Sequence, residues 1–380
     1  MIVIKKIGIL TINDYDNYGN RLQNYASQEV LKSLGFSVET IVNTTKYTHN
    51  NPNNNIINKI RNLKLMTISD IFEKITFKMR SYLCKNKIQE CKNKRIKAFK
   101  NFTSVNISET DYSISIDNIP KNLGNKFDYF VTGSDQVWNP TFRHFSRIDF
   151  LTFAPKNKRV AYAPSFGLSE IPGQYVDKYK IWLSQMSGLS VREEAGAEII
   201  KTFTGRDSVI LIDPTLMLSR EKWLSISKQA VHKPKNPYLL TYFLGKLTKE
   251  NTKKIKQIAL ENKLQLVNLG DINDRDAYMA DPSEFLDYIN SASAFFTDSF
   301  HGAAFSILLG TPFTIFDRVS NIPSMNSRMD TLLSTFSLNS RKCDNVNTNS
   351  DIFNADYSHV VAILEVQRKK AIDYLEEALN

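Results

Sequence analysis

The sequence predicts an α/β protein whose two similar domains face each other across a cleft. Its 380 residues suit two domains better than one. Short apolar segments alternate along the chain with segments of helical spacing, which indicates parallel sheets covered by helices on both faces. A polar linker near 228–236 divides this alternation into two units of similar size. Because ligands of such sheets bind beyond the carboxyl ends of the strands, we expect the functional site in the cleft.

The first unit begins with a short apolar strand at 6–11. Apolar residues then recur at helical spacing from Gly19 to Leu34, and Gly35 is a natural residue to end that helix. Further strands are predicted at 37–42, 127–132, 159–163, 188–191 and 209–212. We therefore predict an N-terminal domain over residues 1–227.

The second unit repeats the same alternation. Strands are predicted at 238–244, 265–269, 294–297 and 313–316, and helices at 249–262, at 282–291 and from His301 onward. This predicts a C-terminal domain over 237–355. The remaining residues, 356–380, are predicted to form a long helix that packs across both domains.

Positive charge is concentrated in one segment between the second and third predicted strands. The chain has 49 Lys plus Arg against 39 Asp plus Glu, a net of +10. Residues 56–100 hold 13 of the basic and 3 of the acidic residues, so the rest, with 36 of each sign, is neutral. We predict a basic helical insertion over 56–102, in which apolar residues of 68–83 share one helical face. It is either a solvated helix face or a peripheral contact with an anionic membrane; aromatic residues are too sparse for nucleic acid to be the expected partner.

Other classes of protein are disfavoured. No stretch is long and apolar enough for a membrane span, and the first ten residues lead into a strand rather than a signal peptide. The three cysteines, Cys84, Cys91 and Cys343, lack Cys-x-x-Cys spacing, which argues against a disulfide framework or a structural zinc site. These observations lead us to expect a cytoplasmic protein.

Polar segments follow several predicted strands, where chemistry is expected. They occupy 16–23, 133–140, 163–167, 190–194, 213–217 and 297–302. His301 opens an apolar helix, where backbone N–H groups and the helix dipole favour anions and an imidazole can move a proton. Each segment also has a purely structural interpretation. Asp213-Pro214 suits a helix-entry turn, Glu193 and Glu194 suit a helix N-terminus, and His301 can belong to an ordinary capped helix.

Taken together and in this order, the segments resemble the polysaccharide pyruvyl transferase family over roughly residues 5–317. The matches are Asn17-Tyr18-Gly19-Asn20 with the Leu-Gln-x-Tyr-Ala helix after it, Gly133-Ser134-Asp135-Gln136-Val137-Trp138-Asn139, Ser190-Val191-Arg192-Glu193-Glu194, Asp213-Pro214-Thr215 and Ser299-Phe300-His301-Gly302. The resemblance implies two Rossmann-like domains in the arrangement called GT-B. It also implies transfer of a pyruvyl group from phosphoenolpyruvate to a sugar, typically as a cyclic ketal bridging two hydroxyls.

Three residues are our catalytic candidates for that chemistry. We expect Arg192 to bind an anionic group of phosphoenolpyruvate, because a planar guanidinium makes bidentate contacts. His301 is expected to protonate the methylene carbon as a general acid, or else to pair with the phosphate. Asp135 is expected to accept a proton from the attacking hydroxyl. No redox cofactor is required because no electron transfer occurs, and no metal is required if Arg192 and the helix N-terminus supply the charge.

Further residues are expected to bind the two substrates. The donor candidates are Ser299, Gly302, Arg318 and Ser165. The acceptor candidates are Asn20, Arg21, Gln136, Trp138 and Asn139, with the Trp138 indole either stacked on a pyranose or buried in the core. Many similar proteins have arginine at position 299, and serine brings no charge. Either Arg318, Lys246 or Arg328 compensates, or donor binding differs.

The resulting hypothesis is a pyruvyl transferase of capsule or exopolysaccharide assembly that forms a pyruvate ketal on a hexose such as galactose. A lipid-linked oligosaccharide acceptor would give the basic insertion a purpose at the inner face of the membrane. Two alternatives remain open. One is a GT-B glycosyltransferase using a nucleotide sugar, for which Asp317 and Asp330 would be the acidic pair after His301. The other is a non-catalytic saccharide-binding protein of an assembly complex.

Overall fold

The computed structural model describes residues 4–45, 85–142, 146–318 and 327–380. The described residues contain two larger parallel sheets, one in each half of the chain and each packed against helices, and a two-stranded parallel sheet. The predicted α/β class with two Rossmann-like domains in a GT-B-like arrangement is therefore confirmed.

The N-terminal sheet has the order β3-β2-β1-β4-β5, and all its pairs are parallel. Its strands are β1 Lys6–Leu10, β2 Ser37–Asn43, β3 Glu109–Ile114, β4 Tyr129–Thr132 and β5 Arg159–Ala161. A second parallel pair, β6 Ser190–Val191 and β7 Val209–Ile210, follows beside β5, to which it is linked by a hydrogen bond from Ala161 N to Gly188 O of 3.0 Å. In the centre, Leu10 pairs with Thr132. The loops that follow β1 and β4 therefore leave the sheet at the same edge.

The edge strand β3 is a strand that the sequence pattern does not predict. Its residues read Glu-Thr-Asp-Tyr-Ser-Ile, and only Thr110 and Ile114 are buried. An edge strand with a solvent-facing side lacks the apolar run of a central strand. Conversely, the predicted strands at 159–163, 188–191 and 209–212 are each shorter in the structure, because their ends turn into loops.

The C-terminal sheet has the order β11-β10-β8-β9, again with only parallel pairs. Its strands are β8 Tyr238–Tyr242, β9 Gln265–Asn268, β10 Ala294–Thr297 and β11 Phe313–Ile315. Every residue of β8 and β10 is buried, as expected for central strands covered on both faces.

Local signals account for most helix ends. The helices of the described residues are α1 Tyr18–Ser33, α2 Lys85–Asn106, α3 Val176–Ser184, α4 Glu194–Thr204, α5 Arg220–Ile226, α6 Lys249–Glu261, α7 Arg275–Tyr278, α8 Pro282–Ser291, α9 Phe300–Leu309, α10 Ser327–Thr335, α11 Asn349–Phe353 and α12 Val360–Ala378. Helix α8, for example, begins with a capping box between Asp281 and Glu284 and has proline in its first turn. Within the described ranges, no helix has the length and apolar character needed to cross a membrane.

The C-terminal helix α12 contacts both domains. Val360 and Leu364 belong to a large apolar cluster that contains most of the C-terminal core and also part of α1 and α2, whereas Tyr374 and Leu375 pack with the residues of β1 and β5. Between these two halves, Arg368 donates hydrogen bonds of 2.8 Å to the carbonyls of Leu216 and Leu218. The helix therefore ties the two sheets together.

The basic insertion also bridges the domains through the part that is described. Cys91, Arg95, Phe99 and Phe102 form the buried face of α2, and most of its lysines are exposed. The Arg95 guanidinium pairs with Asp16 and lies 4.8 Å from the ring centroid of Tyr278 in the other domain. Residues 46–84, which include the predicted amphipathic face at 68–83, lie outside the described residues.

Candidate active site

The N-termini of two helices from different domains meet at one point. Helix α1 follows β1 and is capped by the Asn17 side chain, which accepts from Asn20 N at 3.3 Å. Helix α9 follows β10 and is capped by Ser299. A Cβ atom on Gly19 would lie only 2.0 Å from His301 Nδ1, so the glycine allows the imidazole to pack directly on the α1 backbone. His301 is therefore held at the contact between the domains.

The His301 ring points toward a carboxylate of the N-terminal domain. Its Nε2 lies 3.5 Å from Asp213 Oδ2 and has no hydrogen-bond partner among the described residues. The side chain is 8% exposed. A nearly buried imidazole with one open nitrogen beside a carboxylate is suited to proton transfer or to pairing with an anion.

Asp213 is the centre of this arrangement. It is fully buried, and its Oδ1 accepts hydrogen bonds from Thr215 N at 2.9 Å and Thr215 Oγ1 at 2.8 Å. Its Oδ2 accepts from Ser134 Oγ at 2.9 Å and from a guanidinium N–H of Arg192. Burial alone would raise the pKa of Asp213, but the positive charges of His301 and Arg192, together with these hydrogen bonds, lower it well below its usual range. Asp213 is thus a carboxylate.

Arg192 reaches the same carboxylate from the end of β6. Besides its ion pair with Asp213, its Nη2 lies 3.6 Å from Asp135 Oδ1. Its guanidinium carbon lies 4.2 Å from the ring centroid of Phe300, the first residue of α9. Burial would lower the pKa of Arg192, but Asp213 and Asp135 raise it, so the guanidinium keeps its charge. We call Asp213, Arg192 and His301 the Asp213 junction.

Asp135 and Asn20 extend the site on the side of the N-terminal sheet. Asp135 lies three residues beyond the end of β4 and has a left-handed conformation with φ of 67°. Its Oδ2 accepts a hydrogen bond from Asn20 Nδ2, and its Oδ1 accepts from Gln136 N at 2.8 Å. The loop packs so closely on the next strand that a Cβ on Gly133 would lie 2.1 Å from Tyr162 O. Glycine there brings Asp135 within reach of Arg192.

Residues 17–321 match the family model described as polysaccharide pyruvyl transferase, which is more than half of the chain. The chain belongs to this family. The resemblance inferred from the sequence is thereby confirmed. No sequence match to a curated protein reaches significance.

The transferase also has distant structural likenesses. A putative UDP-N-acetylglucosamine 2-epimerase from Listeria monocytogenes aligns with 98% of this chain and 91% of its own, at 11% identity and a TM-score of 0.47. For UDP-GlcNAc 2-epimerase from Methanocaldococcus jannaschii, the coverage is 95% and 99%, the identity 12% and the TM-score 0.44. UGT89C1 from Arabidopsis thaliana aligns with 99% of this chain and 94% of its own, at 10% identity and a TM-score of 0.42. Likenesses this weak say nothing about the substrate.

Of the residues predicted to be catalytic in the transferase, all three lie together. His301 and Arg192 share Asp213, and Asp135 is next to Arg192. Among the predicted acceptor residues, Asn20 contacts this group through its side chain and Gln136 contacts it through its backbone N–H, both at Asp135.

The other acceptor predictions need correction. The Trp138 indole is fully buried, lies parallel to the Phe150 ring at 5.2 Å and donates to Asp149 O at 3.0 Å, so it cannot stack on a pyranose. Arg21 is also fully buried and is paired with Glu109 at 3.1 Å. Asn139 caps its own turn by accepting from Thr141 N at 2.9 Å. The partly buried Gln136 accepts from Asn139 Nδ2 at 2.8 Å, so both amides serve the loop itself.

Two donor predictions are corrected in the same way. Ser165 is fully buried, and its hydroxyl donates to Glu193 Oε1 at 2.9 Å. The same carboxylate oxygen also accepts from Phe166 N. Gly302 donates its N–H to the Ser299 hydroxyl, and a Cβ there would lie 2.9 Å from Thr297 Oγ1. Gly302 therefore lets α9 pack closely on β10 instead of facing a ligand, and Ser299 serves as the helix cap.

Asp213 is the site residue that sequence reasoning missed. The sequence indicates its Asp-Pro-Thr segment as a match to the family and as a turn suited to a helix entrance, but it assigns Asp213 no role in the site. The structure bears this out in part, because Asp213 does cap the short helix Pro214–Met217. Only the tertiary contacts show that the second carboxylate oxygen joins Arg192 to His301.

Proposed function

We propose that this protein transfers the pyruvyl group of phosphoenolpyruvate to a hexose of a surface-polysaccharide precursor, forming a cyclic pyruvate ketal and releasing phosphate. Galactose is the expected hexose. The observation that carries the proposal is the Asp213 junction, where an arginine and a histidine from opposite domains meet. Family membership supports the pyruvyl transfer.

Arg192 is suited to binding one anionic group of the donor. Its Nε and Nη2 have no hydrogen-bond partner among the described residues, although the side chain is buried. Unsatisfied buried N–H groups are costly, and an oxyanion would satisfy both. A pocket beside this side chain is lined by Arg192, Asp213 and Phe300, among others.

His301 is proposed as the general acid, with Asp213 as the residue that positions it. Protonation of the methylene carbon of phosphoenolpyruvate turns that carbon into a methyl group and makes the central carbon electrophilic. A sugar hydroxyl then adds to the central carbon and passes its proton to Asp135. The carboxylate of Asp213 stabilises positive charge on the imidazole ring while the donor binds.

The remaining steps balance without a further reagent. The C–O bond to phosphate breaks, and the phosphate leaves with the bonding electron pair. A second hydroxyl of the sugar attacks the same carbon, its proton leaves with the phosphate, and the ketal ring closes. The proton held by Asp135 restores the acid, so the enzyme ends as it began.

The experiment combines purified protein, phosphoenolpyruvate and a small panel of galactosides and other hexosides. Phosphate release and a product heavier by one pyruvate ketal are expected, and both should fall at least a hundredfold in His301→Ala and Arg192→Ala. The exposed residues His232 and Arg275 provide matched controls, since His232→Ala and Arg275→Ala remove the same side chains elsewhere. Undiminished phosphate release in the site variants contradicts the assignment, and thermal stabilisation by UDP-sugars but not by phosphoenolpyruvate contradicts the reaction.

We also propose a cytoplasmic location with peripheral contact between α2 and anionic lipid, which would bring the enzyme to a lipid-linked acceptor. Lysines at 87, 92, 94, 97 and 100 are exposed on this helix. A basic surface gains roughly 1 kcal/mol per residue near an anionic bilayer. Co-sedimentation with vesicles tests the contact.

A further inference from the structure

A second pocket lies at the carboxyl ends of β10 and β11, next to the Asp213 junction. Its lining includes Phe300, the cations Arg318, Arg328 and Lys342, and the carboxylates of Asp298, Asp317 and Asp330. Phe300 separates it from Arg192, whose guanidinium packs on the ring of this same phenylalanine. The pocket therefore opens where ligands of a parallel sheet bind, within one side chain of the proposed anion clamp.

The cations of this pocket differ in how they are paired. Arg318 pairs with Asp298 at 3.0 Å, and Lys342 pairs with Asp330 at 2.6 Å. Arg328, in the first turn of α10, is 7% exposed, and its Nε has no hydrogen-bond partner among the described residues. None of the ion pairs in the described part of the chain involves Arg328.

An unpaired buried guanidinium is an unfavourable group unless a ligand completes it. Burial, and next the positive charge of Arg192, lower the pKa of Arg328 to about 10, and the negative charges of Asp135 and Glu193 offset this only in part. An anion in the pocket would relieve both the burial and the repulsion between the two arginines. The site therefore has donors and charge for a second anionic group.

We propose that Arg328 binds the phosphate group of the donor and supplies the charge that arginine provides at position 299 in similar proteins. The inference rests on the function proposed above, in which the donor carries both a carboxylate and a phosphate. Arg192 then takes the carboxylate, so that the two guanidinium groups bind the two anionic groups of one donor. Of the other compensating residues considered, Lys246 is exposed and Arg318 is already paired with Asp298.

The test measures binding of inorganic phosphate, pyruvate and phosphoenolpyruvate to the full chain by calorimetry, in wild type, Arg328→Gln and Arg318→Gln. Losing one hydrogen bond between charged groups weakens the affinity for a ligand by about tenfold to a hundredfold. We expect Arg328→Gln to weaken phosphate and phosphoenolpyruvate by this factor and to leave pyruvate, which has only the carboxylate, within twofold. Arg318→Gln should change each affinity less than threefold.

A second variant covers the case in which Arg328→Gln does not fold. Arg328→Lys keeps the charge but loses the planar fork, so it should weaken phosphate binding about threefold to tenfold, again without affecting pyruvate. Wild-type phosphate affinity in a folded Arg328 variant, or a larger loss in Arg318→Gln, overturns the inference. The proposed function fails if the wild-type protein neither binds nor turns over phosphoenolpyruvate. In that case, loss of phosphate binding in Arg328→Gln would still identify Arg328 as part of an anion site.

Discussion

Replacing Asp213 by asparagine removes one charge from the centre of the site without changing its size. The two bonds from Thr215 to Oδ1 can persist. The new amide N–H₂, in contrast, would face three groups that now donate to or approach Oδ2, namely Ser134, Arg192 and His301. The variant therefore loses an ion pair and places donors against donors.

The magnitude follows from the burial of the partners. Removing one member of a buried ion pair destabilises a protein by about 3–5 kcal/mol, because the other charge is left uncompensated. Asp135 remains 3.6 Å from Arg192, so we expect the lower end, about 3 kcal/mol. That is a large share of a total stability of roughly 5–15 kcal/mol.

Urea-induced unfolding, followed by both fluorescence and circular dichroism, measures this change, and two probes are needed because a two-domain protein can unfold in steps. Asp207→Asn is the matched control, since Asp207 pairs with Lys201 at 2.8 Å but its side chain is 89% exposed. Its substitution should change stability by less than about 1 kcal/mol. Equal stability losses in the two variants, or a loss below about 1 kcal/mol in Asp213→Asn, would refute the reasoning.

The same variant has a predictable pH dependence. The pKa of Asp213 is lowered in the folded protein relative to about 4 in the unfolded chain. Its stabilising contribution is therefore complete above about pH 4 and is lost as the pH falls through the lowered value. The stability difference between wild type and Asp213→Asn should persist at neutral pH and narrow only in acid; narrowing already between pH 7 and 5 would contradict it.

Two further predictions concern the domain contact and the basic helix. In Gly19→Ala the added Cβ would lie 2.0 Å from His301 Nδ1, so the ring must move and kcat/KM should fall at least tenfold, although alanine favours a helix by about 1 kcal/mol. Gly173 is the control, because a Cβ there would have no atom within 4 Å, and Gly173→Ala should leave kcat/KM unchanged. Full activity in Gly19→Ala would show that the position of the His301 ring is unimportant. Replacing the exposed Lys92 and Lys97 of α2 by glutamine should reduce sedimentation with anionic vesicles severalfold. The same change at the exposed Lys253 and Lys256 of α6 should not reduce it. Equal effects of the two pairs of substitutions would indicate nonspecific charge attraction.

Elements with strong local signals are predictable from the sequence. Helix α8 and strand β10 have the predicted bounds, the first because Asp281, Pro282 and Glu284 form a capping box with proline, the second because Ala294–Thr297 is an apolar run between turns. The polar edge strand β3 has no such signal, because half of its surface faces solvent. Family membership is also predictable from the sequence, since it depends on the order and spacing of short segments.

The roles of polar residues were much less predictable, because burial and partners come from distant parts of the chain. Arg21 and Trp138 have the residue types of a sugar site, yet Glu109, 88 residues away, neutralises the first, and stacking on Phe150 places the second in the core. Sequence patterns show that a residue is polar or aromatic but not whether its partner is a ligand or another side chain.

By itself, then, the sequence determined the alternation of strands and helices, the division into two units, the family, and the identity of His301, Arg192 and Asp135 as candidates. Only the tertiary structure decided that the first two meet at Asp213, and that Arg328 is buried without a partner in the described part of the chain. The physical reason is the distance along the chain over which each kind of interaction acts. Caps, turns and apolar periodicity act over a few neighbouring residues, whereas the charge balance of a buried site depends on the packing of two domains against each other.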